Sequence, residues 1–243
     1  MKKFELVIPA YNEEKNLEML LSRVVESAAE FGFNQQNFRL LLVENGSKDR
    51  SYQVMQEVIQ KHQWQDLIHI VKVEVNQGYG FGLMSGLRET QSAVVGWTHA
   101  DLQCDPRNAF IGAKLLLGQK DRKILVKGVR LGRNWRDQWV SRVFETLAFL
   151  ILGLRMYEMN AQPKIFTRDL LLKLKNPPKT FALDLYLLYQ AQKANYLVMT
   201  FDVFFPPRIH GVSNWAAHFA GRYKTIFGMI RYMWDLVRAE GRA

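Results

Sequence analysis

The chain has 243 residues, 48% of them hydrophobic with six Trp and fifteen Phe, which suffices for the core of one large α/β domain or two small ones and excludes a disordered protein. The balance is basic, 33 Lys and Arg against 23 Asp and Glu, and the excess gathers in Lys120 to Arg136, seven basic residues against one Asp, a stretch that suits phosphate groups or is a solvated face. A single cysteine, Cys104, excludes an internal disulfide framework, and the longest apolar run, Leu147 to Leu154, falls short of the about 18 residues of a membrane span.

Phe4 to Pro9 predicts a short apolar strand; Glu5 inside it and Asn12-Glu13-Glu14 after it argue against a signal peptide. Asn12 is placed to cap a helix reaching about Phe31, with Leu17, Leu20, Leu21 and Val24 on one face. Phe38 to Val43 predicts the second strand, ending at Glu44-Asn45-Gly46-Ser47, with Ser47 or Asp49 as cap of a helix to about His62. Leu67 to Val75 predicts a third strand, and the glycine-rich turn Asn76 to Gly82 opens a helix to Thr90. Such a turn lets backbone approach phosphate or sugar, but it does not follow the first strand, so it is a poor match to the dinucleotide fingerprint. The fourth strand starts at Val94 and runs into His99, Asp101, Gln103 and Asp105, metal-capable side chains at alternating positions past a strand's carboxyl end. Strands alternating with helices imply a doubly wound, mostly parallel sheet.

After a helix from Pro106 to about Gln119, Ile124 to Val129 predicts a fifth strand ending in Arg130. Gln138 to Arg155 reads as a strongly apolar helix, Met159 to Phe166 as a strand, Phe181 to Lys193 as a helix carrying Asp184, and Leu197 to Phe205 as a strand. Residues 206–215, with two prolines and a glycine, read as a loop, and Ala216 to about Arg238 as a last amphipathic helix. The expected division is therefore an α/β domain over residues 1–215 and a helix over 216–243 packed on the domain, a membrane surface or a partner.

Five stretches, V-I-P-A-Y-N-E-E, V-E-N-G-S-K-D-R, N-Q-G-Y-G, H-A-D-L-Q and R-I-H-G-V-S-N-W, stand in an order and spacing that resembles family 2 glycosyltransferases, nearest their polyprenyl-phosphate (dolichyl-phosphate mannose synthase-like) branch, over roughly residues 4 to 215. The resemblance implies a GT-A fold and inverting transfer of a sugar from a UDP- or GDP-linked donor to an acceptor, a polyprenyl phosphate in cell-envelope glycan synthesis. It implies that Pro9, Tyr11 and Glu13 line base and ribose, that Glu44 lies near the base, and that Asn76 and Gly78 border the nucleotide. The family's D-x-D metal motif falls on His99 and Asp101, with Gln103 beyond, for Mn²⁺ or Mg²⁺. Arg130, Arg142, Arg208 and Ser213 fall where that branch meets donor phosphates or acceptor.

The chemistry is consistent with those positions. Cleaving a sugar-phosphate bond needs the growing charge on the diphosphate to be stabilised, which a divalent cation and arginines do. Asp101 and Asp184 are the candidate catalytic carboxylates; Asp184 lies among apolar residues that disfavour its charged form, so it is the leading base for a hydroxyl acceptor. A phosphate acceptor is already ionised and leaves Asp184 to orient groups, cap or pair. Asn45, Asn214 and E-M-N-A-Q-P-K at 158–164 depart from the family's frequent residues. Two alternatives stay open: extension of a surface polysaccharide, and a sugar-nucleotide-binding protein with a degenerate metal site. Nucleic-acid binding rests on charge alone and is not expected. The apolar helices leave open a membrane surface or a second copy as partner, and the expected location is the cytoplasm, with a peripheral position on the inner face of the membrane as the open alternative.

Overall fold

The structure, a computed structural model, describes residues 2–120, 123–206 and 219–240. Its elements run β1 Phe4–Ala10, α1 Leu17–Glu30, β2 Phe38–Asn45, α2 Ser51–Lys61, β3 Ile68–Val73, α3 Tyr79–Glu89, β4 Val94–Trp97, α4 Arg107–Leu117, β5 Ile124–Leu131, α5 Trp135–Leu152, β6 Lys164–Thr167, α6 Arg168–Leu171, α7 Ala182–Lys193, β7 Leu197–Phe204 and α8 Phe219–Glu240. The strands form one sheet in the order β3-β2-β1-β4-β6-β5-β7. Only β6 runs antiparallel, to β4 and to β5.

The strands are apolar at successive positions because both faces of the sheet are covered. Phe4, Leu6 and Ile8 of β1 and Phe38, Leu40 and Leu42 of β2 pack with α1, α2 and α4, whereas Val7, Leu41 and Val43 pack on the other face with α3 and α7. Fully burying each such side chain stabilises by about 1.5–3 kcal/mol. Glu5, wholly buried on β1, is tolerated because Arg39 and the Ser92 amide bond its two oxygens. Parallel register sets Ala10 beside Glu44 and Asn45 beside Val73, so the carboxyl ends of β1, β2 and β3 share one edge.

Several expected boundaries move. The first helix begins at Leu17, not at Asn12, which adopts a left-handed conformation (φ 57°) and serves the neighbouring loop. The second begins at Ser51, whose amide and hydroxyl both bond Asp49 Oδ1. β4 ends at Trp97, so His99, Asp101 and Gln103 lie in the loop past its carboxyl end, where they were expected. The strand expected from Met159 contracts to Lys164–Thr167. α8 packs on α5, with Met229 and Met233 in the core that α7 also supplies; the boundary expected at 215/216 lies outside the described residues.

Candidate active site

Two loops at the ends of β1 and β2 are stitched by side chain to backbone bonds. Asn12 N donates to Ser47 Oγ (3.1 Å), Lys48 N to Asn12 Oδ1 (2.8 Å), Glu13 N to Ser51 Oγ (2.9 Å) and Arg50 N to Glu14 Oε2 (3.0 Å). Loops otherwise without regular structure are thereby held in register. Glu44, buried at the end of β2, accepts the Ser47 amide. Asn45 Nδ2 donates to Gly78 O (3.3 Å), and Gly78 N donates to Asn76 Oδ1 (2.8 Å). The expected nucleotide residues Pro9, Tyr11, Glu13, Glu44, Asn76 and Gly78 thus come together from three adjacent strand ends.

The glycines of the turn are also required by the protein's own packing. A Cβ on Gly78 would lie 2.4 Å from Lys179 O, one on Gly80 2.2 Å from Pro178 O, and one on Gly82 2.6 Å from the Asn45 side chain. The close approach that needs glycine at 78 and 80 is made by the protein's own 178–180 segment, which precedes α7. Phe81 N donates to Lys179 O (3.2 Å), which fastens the two together.

Past β4 the chain turns sharply. Leu102 is left-handed (φ 57°) and Gln103 N donates to Asp101 Oδ1 (3.1 Å), a side-chain turn that ends the strand-like alternation. Asp101 is buried, Gln103 Nε2 donates to Pro206 O (3.4 Å), and His99 Nε2 lies 3.1 Å from the Tyr79 hydroxyl. Among the described residues there is no cluster of three His, Cys, Asp or Glu side chains able to hold a metal ion. One buried carboxylate beside a neutral amide fits a hard divalent cation that draws its remaining ligands from a bound diphosphate and water. Burial pushes the thiol of neighbouring Cys104 up to about 12, so it is inert as a nucleophile.

At the carboxyl end of β5 a pocket of about 150 Å³ is lined by Arg130, Ser141, Arg142, Glu145 and Glu158 among others. Arg130 Nε donates to Glu158 Oε2 (2.6 Å) and Arg133 Nη1 to Glu158 Oε1 (2.8 Å), and all three side chains are largely buried. Burial works against the charged form of Glu158, but the bond from Arg130 and the charges of Arg130 and Arg133 outweigh it and hold the carboxyl below its ordinary value. Glu145, whose Oε1 accepts the Glu158 amide (2.8 Å), is pushed up by burial. The basic run Lys120 to Arg136 is divided: Lys120 and Lys123 are exposed, whereas Lys127 is wholly buried and Arg130 and Arg133 share one carboxylate.

Asp184 is not surrounded by apolar groups alone. Its Oδ1 accepts from the wholly buried Lys164 ammonium and from Gln162 Nε2 (3.0 Å). Gln162 Nε2 also lies 3.5 Å from the Tyr79 hydroxyl, so a polar chain runs from Asp184 to His99 through the interior. Sequence reasoning missed Tyr79, Lys127, Arg133, Gln162 and Lys164 as site residues, and treated Glu158 only as a departure from a motif. The available signal was a lysine inside each of two apolar strands, which demands a buried partner. Arg208 and Ser213 lie outside the described residues.

With this geometry in place, the comparisons with known proteins are direct. The undecaprenyl-phosphate 4-deoxy-4-formamido-L-arabinose transferase of Proteus mirabilis is 29% identical over 144 residues, 58% of this chain and 40% of that protein. The protein of the same name from Pseudomonas aeruginosa is 28% identical over 167 residues, 68% of this chain and 47% of that one. The chain thus spans less than half the length of these relatives. Among solved structures, glucosyl-3-phosphoglycerate synthase from Mycobacterium tuberculosis with phosphoglyceric acid superposes with a TM-score of 0.70 at 17% identity, covering 96% of this chain and 80% of that one. The same synthase with Mn²⁺, uridine diphosphate and glucosyl-3-phosphoglycerate gives 0.66 at 18% identity, with 95% and 76% covered. These likenesses carry the fold, a GT-A α/β sheet. Residues 5–182, which run from β1 through β6 and stop short of Asp184, match the profile of Glycosyl transferase family 2, and the chain belongs to that family.

Proposed function

We propose that the chain transfers a sugar, with inversion, from a nucleoside-diphosphate donor to a polyprenyl phosphate. The observation that carries this reading is the placement, along one edge of the sheet, of the stitched β1–β2 loops, buried Asp101 and the arginine pocket at the end of β5. The names of the relatives support the acceptor class.

In this reading Pro9, Tyr11, Glu13, Glu44, Asn76 and Gly78 hold the nucleoside, and Asp101 and Gln103 face its diphosphate. A divalent cation, Mn²⁺ or Mg²⁺, held at Asp101 supplies charge neutralisation for the departing diphosphate. Arg142 and Arg130 receive the acceptor phosphate, whose oxygen forms the new bond to the sugar as the bond to the diphosphate breaks. Because that oxygen is already ionised, no base is needed, and Asp184 acts through Gln162 and Lys164 as a positioning group. Arg208 and Ser213 keep the phosphate roles that the resemblance implies. Exposed Trp135, Trp139 and Leu150 on one side of α5, with Leu131 and Phe204 beside the same pocket, suit a lipid-borne acceptor at a membrane surface.

Calorimetric titration with UDP and GDP, each with Mn²⁺, Mg²⁺ or EDTA, followed by transfer assays on polyprenyl phosphate, tests this. One nucleotide should bind in a cation-dependent way, and Asp101→Asn should weaken that binding by about tenfold or more, the loss of a charged contact of about 1.4 kcal/mol. Binding of neither nucleotide overturns the donor site, and transfer only to a saccharide overturns the acceptor.

A further inference from the structure

The hydrogen bonds of Arg130 and Arg133 divide the two arginines that share Glu158. Arg133 is spent inside the protein: Nη1 donates to Glu158 Oε1 (2.8 Å) and Ser141 Oγ (2.9 Å), and Nη2 to the carbonyl of Asp137 (3.0 Å). It is not part of the lining of the pocket at the end of β5. Arg130 does line that pocket and gives only Nε to Glu158 Oε2 (2.6 Å), with its guanidinium over the Phe205 ring, 5.4 Å from the centroid. Its two Nη groups make no hydrogen bond among the described residues. Glu158 joins the pair from a left-handed backbone (φ 48°), a conformation that a glutamate keeps only where its surroundings impose it. Three bonds impose it here. The Glu158 amide donates to Glu145 Oε1 (2.8 Å), its carbonyl accepts Ala161 N (3.0 Å), and the preceding carbonyl, Tyr157 O, accepts the buried Lys127 ammonium (3.1 Å).

We propose that Glu158 and Arg133 are positioning residues for a phosphate monoester: Glu158 fixes Arg130 with its Nη groups left for the phosphate, and Arg133 offsets the charge of Glu158. The argument is one of charge and donors together. A buried carboxylate paired with Arg130 alone would cancel the charge that the phosphate needs, whereas two guanidinium groups on one carboxylate leave one positive charge over. Because the donors of Arg133 are taken by Glu158, Ser141 and Asp137, that charge is offered to a ligand through Arg130. A guanidinium anchored at Nε keeps a fork of two Nη groups, which matches two oxygens of one phosphate. Arg142, on the same pocket, supplies a second cation. The inference rests on the acceptor site proposed above and adds which groups set its geometry.

Titration of the full chain with farnesyl phosphate, with inorganic phosphate and, as the control for apolar contact, with farnesol tests this, because charge and alignment predict opposite signs. Glu158→Gln removes a negative charge beside the pocket, which by charge alone strengthens phosphate binding. Alignment predicts the reverse: affinity for both phosphates should fall about tenfold or more, with farnesol and nucleotide binding unchanged. Arg133→Lys keeps the charge and loses the fork, and its phosphate affinity should fall too; it carries the test alone if thermal unfolding shows Glu158→Gln unfolded. Tighter phosphate binding by Glu158→Gln, or unchanged binding by Arg133→Lys, overturns the proposal. So does a loss that farnesol and nucleotide share, which makes the pair merely structural. Arg142→Gln checks the pocket itself. If the natural chain binds neither phosphate, or Arg142→Gln binds both as tightly as the natural chain does, the acceptor site proposed above falls and this inference with it. Weaker binding by Arg142→Gln, without a loss in the other two variants, overturns the positioning roles alone.

Discussion

Lys127 lies wholly buried on β5, and its ammonium donates to the carbonyls of Gly128 (2.9 Å) and Tyr157 (3.1 Å). Burial, then the charge of Lys164 across the β5–β6 register, brings its pKa down from 10.5 to about 7, against the opposing pull of Glu158 and Glu145 and with the further push of Arg130. Between those values the unfolded chain holds a proton that the folded protein lacks, so stability rises with pH across the window. Below about 7 both states are charged and the full cost of burial is present. Lys127→Met should therefore gain stability over the natural chain most at about pH 6 and lose that advantage toward about pH 10, read from urea unfolding at each pH. A difference constant with pH would return Lys127 to its ordinary pKa. Glu158 is the converse case: with its carboxyl held below the ordinary 4.5, its contribution is present above that value and disappears as pH falls through the lower, folded-state one. Glu158→Ala leaves Arg130 and Arg133 buried without their shared partner and should cost about 3–5 kcal/mol in the same measurement. These residues were readable in the sequence only as lysines and a glutamate in awkward places, because the groups that make their burial tolerable lie twenty or more positions away.

Among the elements, α3 and the segment before α7 form one unit across a gap of about a hundred residues in sequence. Gly80→Ala would press a methyl group against Pro178 O and Thr180 O, atoms of backbone that cannot yield cheaply. The expected loss is about 1–3 kcal/mol by thermal or urea unfolding, together with weaker nucleotide binding. An unchanged melting temperature would mean that the 178–180 segment is free to withdraw. The strands β1, β2, β4 and β5 were legible because burial on both faces leaves apolar residues at most positions. Strand β6 was misjudged in extent, and α6 was not foreseen. The strand expected from Met159 to Phe166 begins only at Lys164, which is buried against Asp184. Its antiparallel sense depends on where the chain re-enters the sheet after α5, and that is not a local property.

At the scale of the whole molecule, a net charge of +10 accompanies an exposed apolar face on α5, with Trp135 71% and Trp139 65% accessible. No helix among the described residues is long and apolar enough to cross a membrane. The paired substitution Trp135→Ser, Trp139→Ser should lower partition onto anionic vesicles by tenfold or more, about 1.5–3 kcal/mol for each buried side chain, and leave nucleotide titrations unchanged. Equal vesicle binding by the variant would move the contact to another surface.

Order of motifs, alternation of strand and helix, and the apolar runs of the strands are properties of neighbouring residues, and they sufficed to identify a mostly parallel α/β sheet and to place the candidate site residues along its edge. Which glycines admit the chain itself and which lysines are buried against internal partners were decided only by folding. Each is a relation between groups far apart in sequence, and the energy of a buried charge or donor depends on the partner that the tertiary structure brings to it.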